Sequence, residues 1–241
     1  MRKLLLALTL SLLSCSAAMA CEDDSDCDFE DDFGLNIFFN IGYNSLDLNN
    51  LNKTFEADGY RPFGQDQLKM GGSLQLFFGN IMTEFEGSGI MNQPVLNDKY
   101  VTKMSAGHAL FNLGYAIQPI DELRIYPFVG LGMGMIDIQF NQRNLVLSFS
   151  EFLNDPGRQA KLSTALFLLN TGLGINYTLP GDFPLTLGLK GGYLWTPFES
   201  NWWQLHDTLD KDATQERGAA NVSDGPGVKL NGPYLNLAIG F

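Results

Sequence analysis

The connections between its alternating segments constrain the fold of this 241-residue chain most strongly. From residue 33 onward, eight segments alternate bulky apolar residues with polar or small ones, and a period of two is typical of β-strands. Short and long connections between these segments alternate strictly. The short ones are 79–80, 118–122 and 179–182, and the long ones are 44–67, 92–100, 141–165 and 196–232. Short turns at one end, long loops at the other and an even strand number favour a membrane barrel.

The two faces of the segments predict which side of the barrel meets lipid. In the first segment Leu35, Phe39 and Tyr43 share one face, and Asn36 and Asn40 share the other. A soluble barrel or β-sandwich, which is the alternative fold, points its bulky apolar face inward and gives no reason for the alternating loop lengths. Small and polar residues suit the narrow interior of an eight-stranded barrel, so the apolar face is assigned to lipid. We therefore predict an all-β fold, an eight-stranded antiparallel up-and-down transmembrane barrel.

The first 32 residues are predicted to lie outside the barrel. A basic start, an apolar run over 4–13 and Ala18-Met19-Ala20 indicate a signal peptide at 1–20. Residues 21–32 form an acidic periplasmic leader, interpreted as a solvated segment because it lacks the ligand spacing of a calcium loop. The barrel domain is 33–241.

Two cysteines remain after the predicted cleavage, Cys21 and Cys27. The favoured interpretation is a disulfide between them or a pair of free thiols in an oxidising compartment. The alternative is a lipoprotein acylated at Cys21, or at Cys15 within the signal. The formal net charge of −12 argues against a nucleic-acid partner, and we predict none.

Three motifs carry a resemblance to a known family. Residues 124–134 read RIYPFVGLGMG, residues 169–177 read LNTGLGINY, and the chain ends on alternating apolar residues with a terminal aromatic. Over about 33–241 the chain resembles the eight-stranded outer-membrane proteins of the OmpA-like transmembrane-barrel superfamily, which includes the OmpX and OmpW types. The resemblance implies a Gram-negative outer-membrane location and recognition by the barrel-assembly machinery. The recognised side chains of the last strand are Leu235, Leu237, Ile239 and Phe241.

The strand alternation points a set of charged side chains into the barrel. These are Lys69, Glu84, Glu86, His108, Arg124 and Lys190. Charges inside a narrow barrel must be paired or hydrated, and pairing of neighbouring strands is expected to bring Glu84 near His108. We interpret the set as a lumenal network that braces a closed barrel. The alternative is an ion path or a gated pore.

The longest connection, 196–232, contains the predicted surface-recognition residues. Trp202, Leu205 and Leu209 are spaced as on one face of a short helix, and Trp203 follows Trp202 directly. Exposed tryptophan pairs often anchor recognition. The alternative is that this face packs on the barrel mouth or rests among lipid headgroups.

The sequence thus predicts a non-enzymatic outer-membrane barrel, structural or surface-interacting, with outer-membrane lipid and an unidentified surface partner as its contacts. No cofactor and no metal site are expected. A porin-like narrow pore for ions or small hydrophobic molecules is the first alternative. A lipid acyl-modifying enzyme is the second, with His206 beside Asp207 as its candidate base, although adjacent residues on a chain usually point apart.

Overall fold

The structure is a computed structural model that describes residues 33–91, 94–97, 100–142, 159–181, 185–207, 220–222 and 225–241. The predicted signal peptide, the acidic leader, both cysteines of the expected disulfide and Leu209 lie outside these ranges. In the described residues no helix is long and apolar enough to cross a membrane.

The described residues form one short helix, α1, and twelve strands, β1 to β12. The helix spans Asn49–Ala57. The strands are β1 Phe33–Ser45, β2 Asp66–Phe78, β3 Ile81–Met91, β4 Val95–Leu96, β5 Tyr100–Tyr115, β6 Ile117–Ile120, β7 Leu123–Gln142, β8 Gln159–Thr178, β9 Thr186–Trp195, β10 Trp203–Asp207, β11 Ala220–Val222 and β12 Gly232–Gly240.

Eight of these strands close into a barrel. Their order around the ring is β1-β2-β3-β5-β7-β8-β9-β12, every pairing is antiparallel, and β12 pairs with β1 to complete the circle. Ile41 of β1 lies opposite Leu237 of β12 in that closing pair. The predicted fold class is therefore confirmed. The short strands extend this ring at its two ends, β6 beside β7 and β10 beside β8.

The outward side chains form an apolar belt around the barrel. Members on β7 are Val129, Leu131, Met133 and Met135, each more than half exposed. The belt continues on the other strands with Ile37, Phe39, Phe85, Leu113, Leu173, Leu187, Leu237 and Ile239. An apolar surface of this extent is the lipid-facing side of a membrane barrel.

The two ends of the barrel differ as the loop lengths predicted. At one end, called here the turn end, β2 and β3 are joined by Gly79-Asn80, where Gly79 adopts a φ of 56°. A positive φ of this kind is what a tight hairpin turn requires and what glycine supplies. The other end, called here the loop end, carries the connections 46–65, 92–99, 143–158 and 196–231.

At the loop end, α1 folds over the barrel mouth. Leu51 and Phe55, one turn apart, are buried, and the Phe55 ring stacks on Phe140 of β7 with 5.8 Å between centroids. Asn52 fixes the return of the chain, because its amide donates to the Phe63 carbonyl (2.9 Å) and its oxygen accepts from the Phe63 N–H (2.8 Å). The connection 46–65 is thus an ordered cap.

The predicted helical face of Trp202, Leu205 and Leu209 is wrong. Residues 203–207 are strand β10, which pairs with the part of β8 that extends past β9. The physical reason lies in β8, since its free backbone groups at 160–163 form an exposed edge that another strand satisfies. A local helical spacing could not reveal that edge.

Substitution of a belt residue tests whether the barrel faces lipid. Leu131→Arg places a cation on the apolar belt, and near the bilayer centre this costs about 2–4 kcal/mol of folding free energy. Asn50→Arg on the exposed surface of α1 is the control and is expected to change stability by less than ~0.5 kcal/mol. Urea unfolding in lipid vesicles measures both. Equal effects of the two substitutions would contradict a lipid-facing belt.

Candidate functional site

Five of the six charged residues that the sequence places in the lumen are brought together there. They lie on β2, β3, β5 and β9, and each is buried. They are Lys69, Glu84, Glu86, His108 and Lys190. We refer to these five residues as the charge network. The period of two along each strand is what turns them all toward the axis.

Lys190 is the centre of the charge network. Its Nζ lies 2.9 Å from both carboxylate oxygens of Glu84 and also contacts the Glu86 carboxylate. In the ring of eight strands, β9 and β3 are four positions apart in either direction. The ion pairs between Lys190 and the two glutamates therefore cross the full width of the lumen.

Lys69 and His108 complete the charge network on the other side of Glu86. The Lys69 Nζ lies 2.8 Å from Glu86 Oε1, and the His108 Nε2 lies 3.6 Å from the same oxygen. Two lysines thus balance two glutamates. The expected neighbour of His108 differs, because the register sets Ser88 opposite His108 and sets Asn112 opposite Glu84.

Neutral side chains connect the charge network to the remaining strands. Gln75 donates to Glu84 (3.0 Å) and to the Tyr126 hydroxyl (2.9 Å). Tyr126 donates to Asn176 (3.1 Å), and Asn176 donates back to Gln75 (2.8 Å). This triangle joins β2, β7 and β8, and β2 and β8 are again on opposite sides of the ring. A second set of bonds thus crosses the lumen.

A third set of bonds joins β12 and β8 to Glu84. Tyr234 donates to Asn170 (3.0 Å), Asn170 donates to Asn112 (2.9 Å), and Asn112 donates to Glu84 (2.8 Å). The Tyr234 ring also lies under the Lys69 ammonium, 4.7 Å from its centroid. A buried polar group without a partner costs free energy, and these bonds supply partners for nearly every lumenal polar atom.

Inward glycines make room for the lumenal rings. A Cβ atom at Gly174 would overlap the Tyr126 ring, and one at Gly172 would lie 2.6 Å from the Phe128 ring. These positions leave no space for any side chain larger than hydrogen. The glycine alternation of β7 and β8 therefore serves a filled interior.

Arg124 does not join the charge network. It lies nearer the turn end of β7, where its guanidinium stacks 4.6 Å from the centroid of the Phe77 ring and its Nε donates to Gln118 (3.4 Å). Arg124 is on the inward face of β7, as the sequence indicated. It precedes Tyr126 on the same strand, however, and so lies nearer the turn end than the charge network.

The two tryptophans of the predicted recognition pair have opposite environments. Trp203 is buried, and its indole N–H donates to the Pro226 carbonyl (2.9 Å). Trp202 is 85% exposed. Leu205 is half-buried in β10. Among the described members of this set, only Trp202 is fully exposed, whereas Trp203 is buried and bonded to Pro226.

His206 finds a partner that the sequence did not indicate. Its Nε2 lies 2.8 Å from the Ser163 Oγ, and the side chain of its neighbour Asp207 lies outside the described residues. Ser200, in the same connection as His206, bonds Thr164 at 2.8 Å. Ser163 was missed because only the pairing of β8 with β10 brings it within reach. An exposed strand edge on β8 was the signal that could have found it.

Three of the four predicted assembly residues lie on the outward face of β12, and the fourth, Phe241, directly follows the strand. Leu235, Leu237 and Ile239 are each more than half exposed, and Phe241 exchanges backbone hydrogen bonds with Ile37 of β1. They therefore form part of the belt at the seam where the barrel closes.

Comparisons with known proteins support the fold. No protein-family model matches the sequence, and no curated protein matches it either. The structure is similar to a major outer membrane protein from Thermus thermophilus, with a TM-score of 0.50 and 9% identity, over 86% of this chain and 98% of that one. This likeness shows the fold alone.

Two further solved structures are similar at lower scores. Ail, the attachment invasion locus protein of Yersinia pestis, has a TM-score of 0.37 and 12% identity, over 87% of this chain and 98% of that one. The outer membrane protease OmpT of Escherichia coli has a TM-score of 0.39 and 12% identity, over 91% and 97%. The predicted resemblance to outer-membrane barrels is confirmed at the level of fold, and the apolar belt agrees with the predicted outer-membrane location.

Removal of the central cation tests the charge network. Lys190→Met leaves two buried carboxylates without their main partner, and breaking a buried pair in this way costs about 3–5 kcal/mol. Adding Glu84→Gln to Lys190→Met should recover part of the loss, because Glu86 keeps Lys69. The control is Lys229→Met, whose partner Glu199 is about half exposed, with an expected loss below ~1 kcal/mol. Urea unfolding in lipid vesicles measures the free energy of unfolding of each variant. A loss of unfolding free energy in Lys190→Met as small as that of the control would contradict a bracing role of the charge network.

Proposed function

We propose that the protein is an outer-membrane barrel with a closed lumen, which acts as a structural and surface-interacting component and does not act as a pore. The observation that carries this proposal is the set of ion pairs from Lys190 to Glu84 and Glu86 across the full width of the ring. Ions passing through would have to separate charges that are paired and buried, and this is unfavourable.

The cap supports a closed lumen independently of the charge network. Toward the loop end of β7 and β8, apolar side chains fill inward positions, with Ile136, Ile138 and Leu168 fully buried. Leu51 and Phe55 of α1 pack into the same cluster. A polar solute entering from the loop end would meet this apolar layer before it reached the charges.

The surface of the loop end is the part of the molecule that we propose contacts a partner. Trp203 is buried and bonded to the Pro226 carbonyl, and beside it Trp202 and Phe198 are 85% and 74% exposed. Exposed aromatic side chains on an ordered surface bind at a low cost in conformational entropy. A surface partner and the headgroups of outer-membrane lipid are both contacts that exposed aromatic side chains make.

The outward face of β12 is proposed to serve during assembly. Leu235, Leu237 and Ile239 alternate along β12, and Phe241 directly follows it. In the closed barrel these side chains remain in the belt, so recognition by the assembly machinery and lipid contact use the same face in succession.

Single-channel recording in planar bilayers tests the closed lumen. The wild-type barrel is expected to show no steady conductance, because both the charge network and the cap obstruct the axis. A variant in which 47–64 is replaced by a short turn is also expected to stay closed, since the charge network remains. Steady, large conductance of the wild-type protein would contradict the proposal and would favour the pore.

A further inference from the structure

A serine and a histidine meet on the outward side of the barrel, away from the charge network. Ser163 Oγ and His206 Nε2 are 2.8 Å apart, a distance at which the imidazole can take the hydroxyl proton. The two residues are 43 apart in sequence and are joined only by the pairing of β8 with β10. In that register His206 lies opposite Lys161, and Gln204 lies opposite Ser163.

Ser163 lines a cleft at the loop-end margin of the apolar belt. The cleft has a volume of about 280 Å³, and its lining includes Ser163, Ala165, Met135 and Trp202. Met135 belongs to the belt as well, followed toward the turn end by Met133 at 65% exposure. An acyl chain lying along the belt would therefore reach Ser163 with its carbonyl end, at the depth where polar and apolar groups meet.

Polar neighbours of Ser163 complete the site. Asp137 lies directly opposite Ser163 on β7, and its Oδ2 pairs with Lys161 at 3.1 Å. The other oxygen, Oδ1, is buried and has no hydrogen-bond partner among the described residues. An acceptor of this kind beside a nucleophile is suited to hold a water molecule. Gln204, which also lines the cleft, supplies an amide donor opposite Ser163.

From this geometry we propose that Ser163 and His206 hydrolyse esters of long-chain fatty acids that the membrane presents to the cleft. His206 Nε2 takes the Ser163 proton while Oγ bonds to the ester carbonyl carbon. The tetrahedral intermediate, with its oxyanion near the Gln204 amide, then expels the alcohol, which receives the proton from His206. A water molecule held by Asp137 attacks the acyl-serine with His206 as base, and releases the fatty acid and free Ser163. The net reaction is ester plus water to acid plus alcohol.

This activity goes beyond the closed structural barrel, because it uses the outward face and none of the lumenal residues. The sequence suggested His206 and Asp207 as the candidate pair of an acyl-modifying enzyme, whereas the structure pairs His206 with Ser163. His206 remains the base, and the group on which it acts is Ser163 of β8.

Labelling of the folded protein with a fluorescent fluorophosphonate tests the nucleophile. The probe should modify the wild-type barrel at Ser163, as identified by peptide mass spectrometry. Ser163→Ala should abolish labelling, and His206→Gln should slow it by about 10²–10⁴-fold, the usual contribution of a general base. Ser45→Ala is the control, since the Ser45 hydroxyl bonds Asp66 at the loop end and lies outside the cleft. It should label as wild type.

Fatty-acid release then identifies the ester. One arm uses vesicles of phosphatidylethanolamine and phosphatidylglycerol, and the other uses vesicles that contain lipopolysaccharide. Release in either arm that is lost in Ser163→Ala supports the proposal and names the source of the acyl group.

Three results with the wild type and Ser163→Ala would overturn the proposal. They are an unlabelled wild type, labelling that persists in Ser163→Ala, and no fatty-acid release from either lipid. A folded barrel changes its mobility in gel electrophoresis when it is heated. If Ser163→Ala lacks this change and so does not fold, the labelling rate of His206→Gln alone tests the proposal, because glutamine keeps a hydrogen bond to Ser163. Labelling of that variant at the wild-type rate also overturns it.

Discussion

Ionised side chains inside a narrow barrel must be paired, and much of this molecule follows from that constraint. An eight-stranded ring has an interior just wide enough for side chains, so Lys190 of β9 reaches the glutamates of β3 directly. Each pair then joins opposite walls, and neighbouring amides and hydroxyls satisfy the remaining oxygens. The same crowding requires glycine at positions such as Gly174, which lies against the Tyr126 ring. Bracing and closure are thus two results of one packing arrangement.

The barrel separates its polar and apolar chemistry by face and by height. Inside, the charge network crosses the lumen, and buried apolar side chains lie toward both ends, with Phe77 and Met82 near the turn end and Leu51 and Phe55 of α1 at the mouth. Outside, the belt gives way toward the loop end to Asp137, Lys161, Ser163 and His206. Any activity of the outer face therefore uses residues other than those of the charge network.

The sequence predicted the parts of this structure that repeat with a period of two. Alternation along each strand identified the eight membrane strands, the outward belt and the inward charges. It could not identify contacts that depend on pairing between distant strands. Glu84 meets Asn112 where His108 was expected, because the register of β3 with β5 is set by the whole pair. Arg124 has the inward parity but lies too near the turn end to reach the charges. In the connection 196–231, local helical spacing was overridden by the free edge of β8, and the partnership of Ser163 with His206 follows from that same edge.

Chemical access to the centre of the lumen tests the closed, braced barrel most directly. Ser73 of β2 is buried beside Asn40, and Ser73→Cys changes its side chain little in size. In a protein whose Cys21 and Cys27 are replaced by serine, this thiol is expected to remain unmodified when a small cationic methanethiosulfonate reagent is added to the folded barrel. Ser45→Cys at the loop end is expected to react promptly under the same conditions. Reaction of the Ser73→Cys thiol at a comparable rate would show a water-filled lumen and would contradict the account.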